Sequence, residues 1–549
     1  RDRQVKLAGY RVELAEIERT LSTIEGVLDV TVSAHGERTT TLHASLTTTG
    51  DMAPDHLLAA VHTLLPTYMI PKKISMDGEP VVVKGAPVSL PDALRERVTR
   101  LLPLYAEVLG RPVDPHTEFF LSGGDSLGLM ALYARLEPHY KIEITDLFEK
   151  TTPLALAASL TERSRPNTPL TDIIERCSRF VASPEPPAFE APYTPASPRH
   201  LETIFITGGT GYVGAHLVRE YLEQTETHLI LALRGDPSAV YTKLSERFSF
   251  YFGEEFLRRF AHRITPMSAD LQRPLMGLTE RQYCELARST DGVIHAAALV
   301  KQAGPFEQFA LTNHHGTQVV LGLAEHNPEL TFAHLSTTSL PHLEAFPKNP
   351  YLYSKNRAEQ EAFSMRAHGV PLSIYRVGNV VCSEATGRFQ HNIRENGFYL
   401  FVQALLKAGA LFPCDRPILN FTFVDELARA IRCLFAQKEL LGSDFSLSNP
   451  HNLSPDRFLE LVRGAGYPIQ TFEHDAFEQA LAALPPSLSA SLGLCASHLA
   501  LIMPVRDETF PMAQPWLTSL GAPFSPPGPT QIRRMLEHGR DVGFFPELP

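Results

Sequence analysis

Apolar and polar positions follow different patterns in different parts of this 549-residue chain. From residue 203 onward, short apolar runs such as Ile204–Ile206, His228–Gly235 (which ends in a charge) and Phe332–Leu335 alternate with stretches whose apolar residues recur every three or four positions. Such runs are typical of strands buried on both faces, and the periodic stretches are typical of helices. This part of the chain is therefore predicted to form an α/β fold of the Rossmann type with a parallel sheet.

The first 95 residues show a mixed pattern. It predicts a helix around Leu14–Leu21, strands at Val27–Val32 and Thr41–Leu46, and a second helix near residues 54–65. These elements together predict a small α+β subdomain.

Two segments of this region carry a family resemblance. Asp2 with the segments around it, and the later Leu64–Pro71, resemble the C-terminal subdomain of the adenylate-forming enzymes of nonribosomal peptide synthetases. The lysine that this family uses in adenylation would fall on or next to Pro87, and the nearest lysine is Lys84. Adenylation by this chain alone is therefore not expected, and residues 1–95 are interpreted as a partial domain or docking platform.

Two helical patterns flank a glycine-rich turn between residues 96 and 165. The first pattern consists of Leu101, Leu102, Tyr105, Val108 and Leu109. The second begins at Leu127, directly after Gly123-Gly124-Asp125-Ser126, which places a hydroxyl at a helix start. The segment resembles a peptidyl carrier protein. That resemblance implies a four-helix bundle, 4′-phosphopantetheine attached to Ser126 by a phosphopantetheinyl transferase, and an acyl or peptidyl thioester on the arm; a simple helix cap is the alternative.

Three glycines spaced three residues apart follow the first apolar run of the α/β part. Gly208, Gly211 and Gly214 separate a predicted strand from a predicted helix, as in a dinucleotide-binding turn. The first glycine would allow the bend, the second would let the backbone approach a pyrophosphate, and the third would let helix and strand pack closely.

The choice between the two nicotinamide cofactors depends on the end of the next strand. Arg234 lies there, 26 residues after Gly208. An arginine at this place accommodates the 2′-phosphate of NADP, whereas an acid binds the ribose hydroxyl of NAD. NADPH is therefore the predicted cofactor, with Lys243 as a second cation, and Asp236 is the residue that would favour NADH.

A tyrosine and a lysine four residues apart open a later predicted helix. Tyr351 and Lys355 would share one helix face, whereas Tyr353 would face elsewhere. The neighbouring ammonium is expected to lower the pKa of the Tyr351 phenol. The hydroxyl-rich strand end Ser336–Ser339 is expected to polarise a substrate carbonyl, and His295 is interpreted as a core histidine.

Further motifs resemble the extended short-chain dehydrogenases. Asp270-Leu271 and His295–Ala297 match the positions beside the adenine and the nicotinamide of that family, and its alignment selects Thr337 over Ser336 or Thr338. The implied catalytic residues are thus Thr337, Tyr351 and Lys355, and no metal site is expected. The implied cofactor-binding residues are Thr207, Gly208, Thr210, Gly211, Tyr212, Val213, Gly214, Arg234, Lys243, Asp270, Leu271, Ala296, Ala297 and Lys355.

More specifically, this part resembles the terminal thioester reductase domain of nonribosomal peptide synthetases. The motifs are Tyr375–Val380, Phe423–Glu426 and Gly543–Pro546. The resemblance implies NADPH-dependent release of a carrier-bound acyl group as an aldehyde, or further reduction to an alcohol or cyclisation. A nucleotide-sugar enzyme of the extended family and a non-catalytic docking module are the alternatives.

A proline-rich stretch from 166 to 200 separates the two halves. Its prolines favour an extended linker; they are Pro166, Pro169, Pro184, Pro186, Pro187, Pro192, Pro195 and Pro198. The predicted domains are therefore residues 1–95, 96–165 and 201–549. Within the last, residues 201–450 would form the Rossmann core and 451–549 a substrate lid.

Composition and net charge limit the kinds of binding partner expected for this chain. A net charge of −11 gives no support for nucleic-acid or anionic-membrane binding, and no apolar run approaches the ~18 residues of a membrane span. Six cysteines without metal-ligand spacing favour free thiols in the cytoplasm. The first residue is Arg1, so we expect a fragment of a longer polypeptide with adenylation and condensation domains upstream.

Overall fold

A computed structural model of the chain shows its architecture. It describes residues 4–7, 10–24, 26–35, 41–49, 57, 61, 71, 73–77, 79–81, 92–119, 122, 126–136, 139–142, 146–147, 150–162, 194–195, 198–300, 306–343, 349–411, 419–471 and 510–548. Two compact units are found: Arg1–Pro103 with Asp114–Gly123, and Leu104–Val113 with Gly124–Pro549. Within the described ranges no helix is long and apolar enough to cross a bilayer.

The first unit has an α+β arrangement. Gln4–Leu7 pairs antiparallel with Tyr10–Glu13, and helix Leu14–Leu21 follows. A four-stranded sheet contains, in spatial order, Val27–His35, Thr41–Thr48, Lys73–Met76 and Glu79–Val81. Ile17 and Leu21 pack in one core with sheet residues such as Val32. The helix and the first two strands of this sheet agree with the prediction; Lys84, Pro87 and most of 54–65 lie outside the described residues.

The predicted carrier segment is mainly helical. Its described elements are the helices Asp92–Leu109, Ser126–Leu136 and Pro153–Ser159 and the short antiparallel pair Tyr140–Lys141 and Thr161–Glu162. The Thr152 hydroxyl caps the third helix by accepting the Ala155 N–H at 3.2 Å. The first helix crosses the predicted boundary between residues 95 and 96 without a break.

Seven parallel strands form the sheet of the remaining chain. They are β1 Thr203–Thr207, β2 His228–Leu233, β3 Ile264–Ser268, β4 Gly292–His295, β5 Thr331–Thr337, β6 Leu372–Val377 and β7 Phe445–Leu447. Their spatial order is β3-β2-β1-β4-β5-β6-β7, and every pairing is parallel. This is the doubly wound Rossmann arrangement, which confirms the predicted fold class.

Helices cover both faces of this sheet. Helices α1 (Tyr212–Gln224) and α3 (Val424–Phe435) pack on the face that carries Ile204 and Ile206. Helix α2 (Pro350–Ala367) lies on the opposite face. The other α-helices are Pro237–Phe252, Glu254–Phe260, Glu280–Arg288, Phe306–Phe309, Gly316–Leu321, Gly397–Ala408, Pro455–Gly464, Gln514–Ser519 and Pro529–Asp541, and Ala310–His315 is a π-helix.

A second apolar core lies beside the Rossmann core. It contains residues from three separate stretches of chain, represented by Phe398, Phe458 and Met535. Two short parallel pairs belong to the same region: Val380–Val381 with Thr422–Phe423, and Ala410–Leu411 with Gln470–Thr471. Conversely, Ala513 and Leu517 pack in the Rossmann core.

The predicted division at residue 450 therefore differs from the packing. The chain enters the second core before residue 450 and returns to the sheet after it, where Ser446 N–H donates to Pro511 O at 2.9 Å. Short apolar helices look alike in sequence whichever core they join, so periodicity could not separate the two cores.

Candidate functional site

The carboxyl ends of β1 to β5 meet at one edge of the sheet because all five strands are parallel. β1 lies between β2 and β4, where the strand order reverses. Ligands of doubly wound sheets bind in the crevice at such a point. The residues at or just beyond these strand ends are Thr207, Arg234, Asp270, Ala296 and Thr337.

The glycine turn after β1 has the geometry of a phosphate cradle. Gly208 has φ +74°, and a Cβ there would lie 2.7 Å from the backbone nitrogen of Ala297. A Cβ on Gly214 would overlap the Gly208 carbonyl oxygen. Gly211 is the N-cap of α1 and makes no side-chain cap, which leaves N–H groups of the first turn for an anion. The turn therefore fits a dinucleotide pyrophosphate.

Four further predicted cofactor residues at this edge are held by hydrogen bonds or packing. Ala296 N–H donates to Thr207 O, and Ala297 N–H donates to Thr207 Oγ1, each at 3.3 Å. The Asp270 carboxylate accepts the Gln272 N–H at 3.1 Å, and Leu271 packs against Gly316. Ala296 and Ala297 are thus fixed against the residue that precedes the glycine turn, whereas Asp270 and Leu271 are held by contacts with Gln272 and Gly316.

Three cations lie close together beyond β2. Lys243 donates from Nζ to Arg234 O at 3.2 Å. Burial lowers the pKa of Lys243, and the charges of Arg234 and Arg247 lower it further. No carboxylate among the described residues forms an ion pair with Arg234 or Arg247. Mutual repulsion without a counter-charge is the arrangement that an anion such as a phosphate relieves.

The three predicted catalytic residues converge at the end of β5. The Asn349 side chain caps α2 by accepting the Leu352 N–H at 3.0 Å, which places Tyr351 in the first turn. The Thr337 side chain lies close enough to the Tyr351 phenol to lower its pKa. Lys355, one turn later, is buried and donates from Nζ to Leu335 O at 2.6 Å. A hydroxyl pair and an ammonium thus stand at the sheet edge.

Only one of the three candidate hydroxyls contacts Tyr351. Ser336 Oγ is buried without a partner among the described residues, and Thr338 Oγ1 donates to Val377 O at 3.3 Å. Tyr353 faces outward, 41% exposed, and its ring contacts Phe306. The geometry therefore favours Thr337 and Tyr351 as the pair.

The pKa of Tyr351 moves in the direction opposite to the sequence expectation. Burial of the phenol raises its pKa to about 12, and the nearby Thr337 hydroxyl, rather than the Lys355 charge, opposes this rise. Burial also lowers the pKa of Lys355 to about 8, against the influence of Glu359. At neutral pH the phenol is protonated, and it can donate a hydrogen bond to a developing oxyanion.

His295 has the structural role that the sequence predicts. Its Nδ1 accepts from Thr207 Oγ1 at 2.7 Å, and its Nε2 donates to Thr317 Oγ1 at 3.0 Å. Thr317 in turn donates to Asn313 O at 2.7 Å, which fixes the direction of the chain of bonds. Burial lowers the pKa of His295 to about 3, so the ring is neutral.

Two segments match family models. Residues 206–346 and 338–431 match the male sterility protein family of NAD-binding domains, and residues 99–160 match the phosphopantetheine attachment site. The chain contains a carrier segment and an NAD-binding segment of the male sterility protein family. The carrier match includes Ser126, which is the first residue of the helix Ser126–Leu136. The Ser126 side chain and residues 123–125 lie outside the described residues.

Several known proteins are similar to both segments. A component of the linear gramicidin synthase of Brevibacillus parabrevis is 26% identical over 87% of this chain and 10% of its own length. Aldehyde reductase lnbA of Aspergillus flavus is 26% identical over 88% of this chain and 54% of its own length. The chain thus spans between a tenth and about half of these relatives.

The fold also has solved counterparts. A thiolation-reductase di-domain from an archaeal nonribosomal peptide synthetase superposes with a TM-score of 0.64 at 21% identity, covering 82% of this chain and 98% of that structure. The terminal R domain of the myxalamid pathway gives 0.55 at 23% identity over 69% and 99%. At these identities the likeness concerns the fold of the two segments.

Two residues of the site escaped the sequence analysis. Arg247 follows Lys243 by four residues and so shares its helix face, a spacing that could have indicated it. Ser354 accepts from Asn313 Nδ2 at 2.9 Å and donates to Tyr351 O at 2.9 Å, and no sequence pattern points to that link. Among the described residues no group of histidines, cysteines and carboxylates could hold a metal ion.

Proposed function

We propose that this chain releases an acyl group from its own carrier by NADPH-dependent reduction of a thioester to an aldehyde. The proximity of Thr337 and Tyr351 at the end of β5, on the same sheet edge as the glycine turn, carries this proposal. The carrier segment upstream supports it, because a tethered thioester reaches a neighbouring site at high effective concentration. Similarity to an aldehyde reductase is consistent with the product.

The proposed division of labour follows the sequence. Residues 96–165 act as the carrier with 4′-phosphopantetheine on Ser126, 166–200 act as the linker, and 201–549 act as the reductase. Residues 1–95 are a partial adenylation subdomain. The partners are a phosphopantetheinyl transferase and adenylation domains of a longer polypeptide. We infer a cytoplasmic location, since the described cysteines, Cys284, Cys382 and Cys433, are free thiols.

The side chains at the end of β5 would act on the carbonyl of the thioester. Hydrogen bonds from Thr337 and Tyr351 stabilise the negative charge that develops on its oxygen. Lys355 is held by the Leu335 carbonyl and faces the same edge. When bound, NADPH supplies the hydride. The balance is one thioester, one hydride and one proton giving one aldehyde and one thiol, and the Tyr351 phenol would donate the proton.

Tyr351→Phe tests this function. It removes the phenolic proton but keeps the ring, so reduction of soluble acyl thioesters should fall by about 10²- to 10⁴-fold while NADPH binding is retained. The loss of NADPH absorbance measures the first, and NADPH fluorescence titration measures the second. Tyr353→Phe is the matched control, because that ring faces solvent on the same helix. Ser126→Ala should block carrier loading and leave reduction of soluble thioesters intact. Unchanged turnover in Tyr351→Phe would refute the proposal.

The three cations beyond β2 would select NADPH. Arg247→Ala should raise the KM for NADPH about ten- to hundredfold, since a hydrogen bond to a charged group contributes ~1.5–3 kcal/mol, and should leave the KM for NADH nearly unchanged. Arg258→Ala is the control, because that exposed arginine pairs with Glu255 on the next helix. Equal effects on both cofactors would contradict this role.

A further inference from the structure

A second buried histidine lies next to His295 but has none of its hydrogen bonds. His334, on β5, is 1% exposed, and neither ring nitrogen has a partner among the described residues. The centroids of the two rings are 5.4 Å apart. Both nitrogens of His295 are bonded to threonines, so the difference is specific to His334.

An unpartnered imidazole is costly in a core. The neutral ring offers one donor and one acceptor, and leaving such a group unsatisfied costs about 1–3 kcal/mol. Burial and the charge of Lys355 hold the pKa of His334 well below its usual range, so protonation does not relieve the cost. At least the acceptor nitrogen of the ring therefore needs a neutral polar partner.

Two other polar groups with spare hydrogen-bonding capacity lie near this ring. Ser336 lies two residues further along β5, on the same face of the strand, and its Oγ is also buried without a partner among the described residues. The Lys355 ammonium has three N–H donors and one acceptor in the described part of the chain, Leu335 O. A buried water needs two to four such partners.

We propose that His334, Ser336 and Lys355 share one ordered internal water, and that His334 is thereby a positioning residue for Lys355. This role rests on the proposed reductase function, whereas the water site itself does not. The water accepts a hydrogen bond from the Lys355 ammonium and donates one to the acceptor nitrogen of His334. It gives the amine a hydrogen bond besides the one to Leu335 O.

A crystal structure of the whole chain at high resolution tests the site directly. We expect one water within about 3.2 Å of a His334 ring nitrogen, with a second contact to Ser336 Oγ or Lys355 Nζ. A dry, closed pocket around His334 would overturn the proposal. Thermal unfolding adds an independent readout: His334→Leu should lower the melting temperature, because the water loses a partner, whereas a dry pocket predicts that this variant is more stable.

Kinetics test the positioning role. His334→Leu should lower kcat for a soluble thioester about tenfold, the effect of ~1.4 kcal/mol on a barrier. His334→Asn keeps a donor and an acceptor and should restore most of kcat. Wild-type kcat in His334→Leu, or equal loss in both variants, would refute positioning. Full activity of Tyr351→Phe would refute the reductase proposal instead, so the two failures are distinguishable.

Discussion

Lys355 shows how two opposite influences set the charge of one buried side chain. Burial favours its neutral form, and Glu359, one turn further along α2, favours the charged form. Glu359 is itself held by Arg376 through two hydrogen bonds of 2.9 and 2.7 Å. A pKa of about 8 leaves the ammonium mostly charged at neutral pH and neutral in moderately basic solution.

The pH dependence of reduction should follow this lysine. As pH rises through about 8, Lys355 loses its proton and kcat/KM, which reports the free enzyme, should fall. Glu359→Gln removes the charge that favours the ammonium, so the fall should begin at lower pH. Glu359→Gln also removes the charged partner of Arg376, which lowers stability, so this variant should be assayed well below its own unfolding temperature. Glu361→Gln, which touches His314 instead, is the control; an unshifted profile in Glu359→Gln would contradict the assignment.

For single residues, the sequence predicts which side chains form the candidate site better than it predicts their ionisation states. The spacing of Tyr351 and Lys355 gave their shared helix, and family resemblance selected Thr337 among three hydroxyls. The rise in the pKa of Tyr351 was not predictable, because desolvation depends on atoms that only the folded chain brings near. The same holds for His334, whose missing partners no spacing reveals.

The turn between β1 and α1 depends on tight backbone contacts at its glycines. Gly208 lies against Ala297, and Gly214 lies against the Gly208 carbonyl. The phenol of Tyr212, in the first turn of α1, donates to Val381 O at 2.8 Å. The element that fits the pyrophosphate is thus also bonded to the segment that begins the second core.

A methyl group at the third glycine should disrupt this element. Gly214→Ala places a Cβ into the Gly208 carbonyl, and overpacking of this kind costs typically 1–3 kcal/mol. Thermal unfolding should show this loss, and NADPH titration should show weaker binding. Gly209→Ala is the matched control, because the nearest atom its Cβ would meet belongs to the Leu231 side chain, at 3.3 Å. Equal melting temperatures and affinities in both variants would contradict the role of Gly214.

Elements with a strong pattern were predicted to within about two residues. β2 ends two residues before the predicted His228–Gly235, and β5 extends the predicted Phe332–Leu335 by one residue before and two after. The π-helix Ala310–His315 was not foreseen, since an extra residue per turn is a response to packing and leaves no clear periodicity. It brings Asn313 to Leu299 and Ser354.

In the whole reductase segment, Glu426 links α3 to the C-terminal stretch. It is 5% exposed, and its carboxylate accepts the Ser525 N–H at 3.2 Å. Burial raises its pKa from 4.5 to about 7, and the neighbouring Asp425 and Glu384 act in the same direction. Ionisation of the buried Glu426 carboxyl near neutral pH therefore lowers the free energy of unfolding.

Glu426→Gln should reveal this cost. A pKa raised in the folded state means that folding binds a proton between pH 4.5 and 7, so the unfolding free energy falls as pH rises through that window. The variant should be more stable than the parent by up to about 3 kcal/mol at pH 8, with little difference at pH 4. Asp456→Asn, on the helix Pro455–Gly464, is the control. Equal gains at both pH values would contradict the titration of Glu426.

The order of the segments was predictable from motifs, but the assembly of the reductase segment was not. Glycines, strand runs and the tyrosine–lysine pair follow the chain, so sequence alone identified the Rossmann fold. Membership of a core is a property of contacts between distant stretches, as Phe398, Phe458 and Met535 show. A single domain boundary at one residue therefore cannot describe which core each part of the chain joins.

This interleaving limits how such an enzyme can be recombined. The chain leaves the Rossmann core near Val381, returns at Val424, and passes between the cores again before its last helix, Pro529–Asp541. A chimera that grafts a foreign lid at residue 450 would combine half of one hydrophobic interior with half of another. Exchange of acyl specificity between relatives would require several coordinated junctions, or replacement of residues 201–549 as one cassette.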